Sequence, residues 1–124
     1  MWAVPALADG ASDDAAGEAD AATSQLVMFE SPGCAWCAAW NRDIGVLYHK
    51  TDEGKRLPLR RVDISEDRPD DLEHLKGVMY TPTFVVMHNG KEVGRITGYP
   101  GSEFFWPLLG DLITRMDQMP PSGS

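Results

Sequence analysis

Apolar and polar positions change period several times along this chain. Leu26-Val27-Met28-Phe29 is a short unbroken apolar run between a polar leader and Ser31-Pro32-Gly33. Such a run between turn residues predicts a buried strand, ended by Pro-Gly. From residue 34 the period lengthens. Trp36 or Cys37, Trp40, Ile44, Leu47 and Tyr48 recur at helical spacing, which predicts a helix over 34–50 that Gly45 weakens slightly. The polar stretch Thr51-Asp52-Glu53-Gly54-Lys55-Arg56 reads as a connection. Leu59, Val62 and Ile64 mark a second strand over 58–64. A short helix is expected over 70–76, with Pro69 suited to its first turn and Gly77 ending it.

Thr83 to Met87 is the strongest strand signal in the chain, and Asn89-Gly90 after it is a hairpin cue, with the return strand over 92–97. Gly98-Tyr99-Pro100-Gly101 is a loop. Ser102 is expected to cap a last helix with Phe105, Leu108, Leu109, Leu112, Ile113 and Met116 on its apolar side. Pro107 lacks the N–H that a helix interior needs, so this helix should start later, near Phe105, or bend there. An early strand-helix-strand unit implies a parallel pair with a right-handed crossover, and the late hairpin adds an antiparallel edge. The expected class is α/β: a mixed four-stranded sheet with helices on both faces.

Length bounds the organisation. A chain of 124 residues fits one domain whose core needs no disulfide staples. The ordered domain is expected over 25–117, after a leader at 1–24 and before a tail at 118–124. The net charge is −8, and Asp9, Asp13, Asp14, Glu18 and Asp20 of the leader face no Lys or Arg. The other 14 acids meet 11 bases, so the body is close to neutral and shows no sign of nucleic-acid binding. No apolar stretch approaches the ~20 residues of a membrane span. Ala6-Leu7-Ala8 before Asp9 is similar to a signal-cleavage site, yet no basic segment precedes it. It reads either as the end of a signal peptide, which implies an oxidising compartment, or as an alanine-rich leader.

Both cysteines of the chain sit at Cys34 and Cys37, behind Pro32-Gly33. At spacing i, i+3 they share one helix face, and their sulfurs can bond without moving the backbone. A strand-turn-helix context puts Cys34 at a helix N-terminus, where free N–H groups and the dipole favour the thiolate, the species that attacks a disulfide. Cys37, one turn in, would then release the mixed disulfide. Other uses compete. A structural disulfide over so short a loop contributes only about 2 kcal/mol. A zinc site needs two more ligands, and His49, His74 and His88 lack finger spacing. A cluster shared between subunits needs a partner's thiol, and an inert pair fits poorly behind Pro-Gly. Thr81-Pro82 precedes the strongest strand. A cis bond there would expose the Thr81 N–H and C=O to an extended segment, although an ordinary trans turn is the usual reading of such a dipeptide.

Cys34-Ala35-Trp36-Cys37 after a first strand, Val62-Asp63-Ile64, Thr81-Pro82-Thr83, the hairpin at Asn89-Gly90 and the final helix together resemble the thioredoxin superfamily over residues 25–117. The resemblance implies the thioredoxin fold and a cis Pro82 beside the cysteines. It also implies thiol–disulfide exchange with Cys34 as nucleophile and Cys37 as resolver. Trp36, Thr81 and Pro82 would contact substrate, Pro32, Gly33 and Ala35 would support the motif, and neither cofactor nor metal is called for. Several positions depart from thioredoxins. Their Trp-Cys-Gly-Pro-Cys is replaced; Pro-Gly before the first cysteine and an aromatic before the second resemble glutaredoxins and bacterial disulfide isomerases. Met28 stands where thioredoxins bury an aspartate, with Glu30 and Arg61 as candidates to shape the local charge. Arg42 stands where they carry a kinking proline. Gly98-Tyr99-Pro100-Gly101 lacks the acids of a glutathione pocket. Trp40 belongs to the core stripe, and Tyr99 and Phe104 are candidates for helix and loop packing or for a docking face. The motif is most similar to that of the periplasmic thioredoxins linked to bacterial sulfur oxidation, in which a carrier protein of the Sox pathway is reductively reactivated. That implies a periplasmic monomer that reduces disulfide-containing proteins and draws electrons from a membrane electron donor protein. The alternatives are an isomerase- or oxidase-like protein, and a non-catalytic binding module that uses the Thr81-Pro82 edge.

Overall fold

The computed structural model describes residues 23–119. Residues 1–22 of the expected leader, including the cleavage-like Ala6-Leu7-Ala8, and residues 120–124 of the expected tail lie outside the described residues. Strands β1 (Ser24–Glu30), β2 (Leu59–Asp63), β3 (Thr83–His88) and β4 (Lys91–Thr97) form one sheet in the order β2-β1-β3-β4. β1 runs parallel to β2 and antiparallel to β3, and β3 is antiparallel to β4. The mixed four-stranded sheet expected from the sequence is present.

The unbroken apolar runs follow from where β1 and β3 sit. Both are interior strands, so both of their faces need apolar side chains. Leu26, Met28, Phe84 and Val86 enter one core with Trp40, Phe105 and Leu109, whereas Val27, Phe29, Val85 and Met87 enter the other with Val62, Leu72 and Leu75. Asn89 and Gly90 both take positive φ, +53° and +82°, as a two-residue primed hairpin turn requires.

The helices depart from expectation in four places. First, the helix expected over 34–50 is three pieces. Helix α1 (Ala35–Trp40) passes into a π-helical segment, Asn41–Gly45, whose i→i−5 bond runs from Val46 N–H to Asn41 C=O at 3.1 Å; a 3₁₀ turn, Tyr48–Lys50, follows. Gly45 is where a Cβ would come within 3.1 Å of the Trp40 ring, so the indole sits where a side chain would otherwise stand. Second, the polar stretch after it is no plain connection. Thr51 caps helix α2 (Asp52–Arg56), accepting the Gly54 N–H at 2.9 Å and donating to the Tyr48 carbonyl at 2.6 Å. Its acids lie in the first turn and its bases in the last, complementing the helix dipole. Third, the helix expected over 70–76 contracts to a 3₁₀ turn, Asp70–Leu72. Leu72 and Leu75 still reach the second core, and the Arg68 guanidinium lies 4.9 Å from the Phe29 ring centre.

Fourth, helix α3 (Ser102–Asp117) begins at Ser102 and runs through Pro107 without interruption. Gly101, at φ +100°, holds the cap position expected of Ser102, and its carbonyl accepts the N–H groups of Phe104 and Phe105. The bond that Pro107 cannot give would have gone to the carbonyl of exposed Glu103, where water can serve. Phe105, Leu109, Leu112 and Met116 bury its inner face, while Phe104 and Leu108 stay exposed.

Tyr48 joins these pieces. Its ring stacks on Trp106 and its hydroxyl donates to the Leu57 carbonyl at 2.8 Å, while a Cβ on Gly54 would overlap the Tyr48 carbonyl. Gly54→Ala is therefore expected to displace this turn and cost roughly 1–3 kcal/mol, read as a lower urea midpoint at unchanged slope.

Candidate functional site

Cys34 and Cys37 lie at the C-terminal end of β1, directly after the turn that closes it. Gly33 takes φ +74°, a conformation that glycine adopts without steric cost. The Cys34 N–H returns to the Ser31 carbonyl at 3.3 Å, and Cys34 then serves as the N-cap of α1. Its sulfur accepts the Cys37 N–H at 3.1 Å. The two cysteines form a disulfide with Cα atoms 5.2 Å apart, the close approach that the i, i+3 spacing predicted.

The sulfurs are not equivalent. Cys37 is buried at 4% exposure, whereas Cys34 is partly exposed. Around them, Pro32, Gly33, Ala35 and Trp36 face solvent, Trp36 at 63% exposure. Trp40 is enclosed by Tyr48, Phe84 and Phe105, as its place in the helical stripe predicted, and its indole N–H has no hydrogen-bond partner among the described residues.

Thr81 and Pro82 come to the same end of the sheet because β3 follows them and Thr83 pairs with Phe29 at the end of β1. The bond between them is cis. Ser31 and Thr81 hydroxyls meet at 2.8 Å, joining the cysteine loop to the proline loop. Pro82 is buried and Thr81 half-buried, while the adjoining Met79 and Tyr80 are exposed. Among the described residues no hydrogen bond joins the Trp36 side chain to this pair; Trp36 lies between the cysteines in sequence. The sequence singled out Thr81 and Pro82 but not Ser31, whose hydroxyl makes the tie, nor the exposed Met79; Ser31 carries no local signal beyond its place in a turn.

Two further ties hold the far end of the cysteine helix. The Tyr99 hydroxyl donates to Asp43 at 2.8 Å. Arg61 donates to the Asn41 side-chain oxygen at 2.7 Å and pairs with Glu30 at 3.1 Å. The sequence named Glu30 and Arg61 as candidates for local charge, and they form an ion pair between the last residue of β1 and the middle of β2. Burial first, and then the bond to Asp43, push the Tyr99 phenol up to about 12. Asp63, at the end of β2, is held below the usual carboxylate range by hydrogen bonds from the Ser65 hydroxyl and amide. Among the described residues no group of three or more His, Cys, Asp or Glu side chains is placed to hold a metal ion, and no helix is long and apolar enough to cross a membrane.

Comparisons with known proteins agree with this geometry. A family model for a thioredoxin-like domain matches residues 12–113. The periplasmic thioredoxin SoxS from Paracoccus pantotrophus, in its reduced form, is similar at 45% identity and TM-score 0.71, over 75% of this chain and 98% of that one. Fasciola hepatica thioredoxin shares 20% identity at TM-score 0.59, over 82% and 92%. A thioredoxin-fold protein from Helicobacter pylori shares 21% at TM-score 0.58, over 80% and 75%. These last two bear on the fold alone. A comparison with curated proteins gave no match.

The Tyr99 phenol gives a pH test. Its folded value lies above its unfolded value near 10, so the neutral phenol is favoured by folding. That stability is fully present below pH 10 and is lost as pH rises through about 12. Burial raises Tyr48 in the same direction. Tyr99→Phe should cost about 1 kcal/mol at neutral pH and flatten, without abolishing, the loss of urea stability between pH 10 and 12.

Proposed function

The chain belongs to the thioredoxin-like family and is a thioredoxin-like oxidoreductase, and from that premise we propose that it reduces disulfides of protein partners in the bacterial periplasm. The observation that carries this reading is the inequality of the two sulfurs. Cys34 is reachable from solvent and caps a helix whose Cys37 N–H points at its sulfur, whereas Cys37 lies buried a turn behind it. Hydrogen bonding from N–H groups and the helix dipole stabilise a Cys34 thiolate once the pair is reduced.

In this reading the Cys34 thiolate attacks one sulfur of the partner's disulfide, and the partner's other sulfur leaves as a thiolate that takes a proton from water. Cys37, deprotonated, then attacks Cys34, the mixed bond breaks, and the second partner sulfur leaves in the same way. The partner gains two electrons and the Cys34–Cys37 disulfide re-forms. Thr81, ahead of cis Pro82, offers its backbone N–H and C=O to an extended segment of the partner, as strand-adding recognition requires. Exposed Trp36, Met79 and Tyr80 supply apolar contact area on this side of the molecule. In this reading Pro32, Gly33 and Ala35 shape the turn and the first helical position.

The periplasmic setting is supported by the 45% identity to a periplasmic thioredoxin. There a monomer of this kind would be recharged by a membrane electron donor protein, and a carrier protein of the Sox pathway is the substrate we favour. The chemistry described uses the two cysteines and no cofactor.

The reduction potential of the Cys34–Cys37 couple in thiol buffers, followed by tryptophan fluorescence, tests the direction of transfer. A value near or below about −230 mV is expected of a reductant. A value of about −120 to −180 mV would assign the protein to oxidation or isomerisation. Cys34→Ser should abolish disulfide reduction. Absence of a reversible couple in the parent, with partner binding intact, would make it a binding module.

A further inference from the structure

Arg61 makes more contacts than an edge-strand arginine needs for solubility. It stands on β2 opposite Met28 of β1, on the sheet face that carries α1. Its guanidinium donates to three acceptors: the Asn41 side-chain oxygen at 2.7 Å, the Glu30 carboxylate at 3.1 Å and the Met28 sulfur at 3.7 Å. The planar fork reaches these acceptors from two separate nitrogens, whereas the three donors of a lysine ammonium all radiate from one.

Two of these acceptors bear on Cys37. Asn41 lies four residues beyond it, so the two side chains share a helix face about one turn apart. The Asn41 backbone N–H also closes onto the Cys37 carbonyl. Met28 belongs to the same core as Cys37. Asn41 begins the π-helical segment, so Arg61 grips α1 at the point where its regular bonding ends. α1 has only six residues and could not hold its own geometry without such contacts. Cys34 meets negative charge with a helix N–H, whereas Cys37 has no matching donor among the described residues and is buried, which disfavours charge on its sulfur.

We propose that Arg61 is a positioning residue for the resolving step: anchored by Glu30, it pins Asn41 at the end of α1, keeps Cys37 aimed at Cys34, and presents a cation to the helix face where Cys37 becomes negative. The inference rests on Cys37 being the resolving cysteine. Arg61 itself neither gives nor takes a proton; Cys37 loses its proton to solvent before attack. Because the Arg61 side chain is 42% exposed, water screens its charge, and the expected effect is about tenfold rather than several hundredfold.

An aromatic disulfide, 5,5′-dithiobis(2-nitrobenzoic acid), separates the two steps in the reduced full chain. Attack by Cys34 releases one nitrothiobenzoate and leaves the other as a mixed disulfide; attack by Cys37 on Cys34 releases the second. Stopped-flow absorbance reads both phases. In R61Q the second phase should slow about tenfold while the first stays within about twofold, and R61K should recover part of the loss. Asn41→Ala, which cuts the tie and keeps the cation, should also slow the second phase alone, and it carries the test if R61Q does not fold. An unchanged second phase in R61Q or in Asn41→Ala, or equal slowing of both phases, overturns the proposal. If the parent itself releases only one equivalent, the reading of Cys37 as resolver fails, and this inference fails with its premise.

Discussion

Strand β1 must be covered on both faces, and the rest of the molecule is arranged around that requirement. Leu26, Val27, Met28 and Phe29 are all inaccessible to solvent, yet consecutive side chains on a strand point to opposite sides. Two separate cores result, one under α1 and α3 and one under the Asp70–Leu72 turn. A slip of one residue in β1 would exchange the two sets of side chains, so its register against β2 and β3 is strongly specified. That register places Phe29 opposite Thr83, and so it decides that the loop after β1 meets the loop before β3. The disulfide and cis Pro82 share one end of the sheet for this reason.

The chemistry sits on an element too short to be stable alone. α1 has six residues and gives way to π-helical bonding at Asn41. Three side-chain ties compensate: Ser31 with Thr81 at the cysteine end, Arg61 with Asn41 and Tyr99 with Asp43 at the far end. Each reaches α1 or its turn from a different part of the fold: the proline loop, the sheet edge and the loop before α3. The cysteines are thereby held by residues distant in sequence, the usual condition for a site that must keep its geometry while its bonds exchange.

The departures from thioredoxins fall together in space. Met28 replaces the buried aspartate, Arg42 replaces the kinking proline, and the Glu30–Arg61 pair and the π-helical segment lie beside them. In this chain the regular α-helical bonding of α1 gives way to π-helical bonding at Asn41–Gly45, the segment that contains Arg42. The Glu30–Arg61 pair is partly exposed, so water moderates its charge.

The sequence by itself determined the features that rest on local pattern and covalent spacing. The apolar runs marked β1 and β3, Asn89-Gly90 marked the hairpin, and the spacing of Cys34 and Cys37 marked the chemistry and the family it resembles. Helix limits were less legible. Thr51 carried a capping signal beside Asp52 and Glu53 that the polar stretch concealed, and Ser102 was displaced from the cap because Gly101 adopts a positive φ that no pattern of polarity reports. At the break, Gly45 packs against the Trp40 ring five residues earlier, and Arg61 bonds Asn41 from twenty residues away. Only the tertiary structure decided which hydroxyl meets Thr81, which phenol meets Asp43 and which arginine meets Asn41. Those partners lie 50, 56 and 20 residues apart in the chain, and sequence periodicity carries no information about contacts made across a sheet.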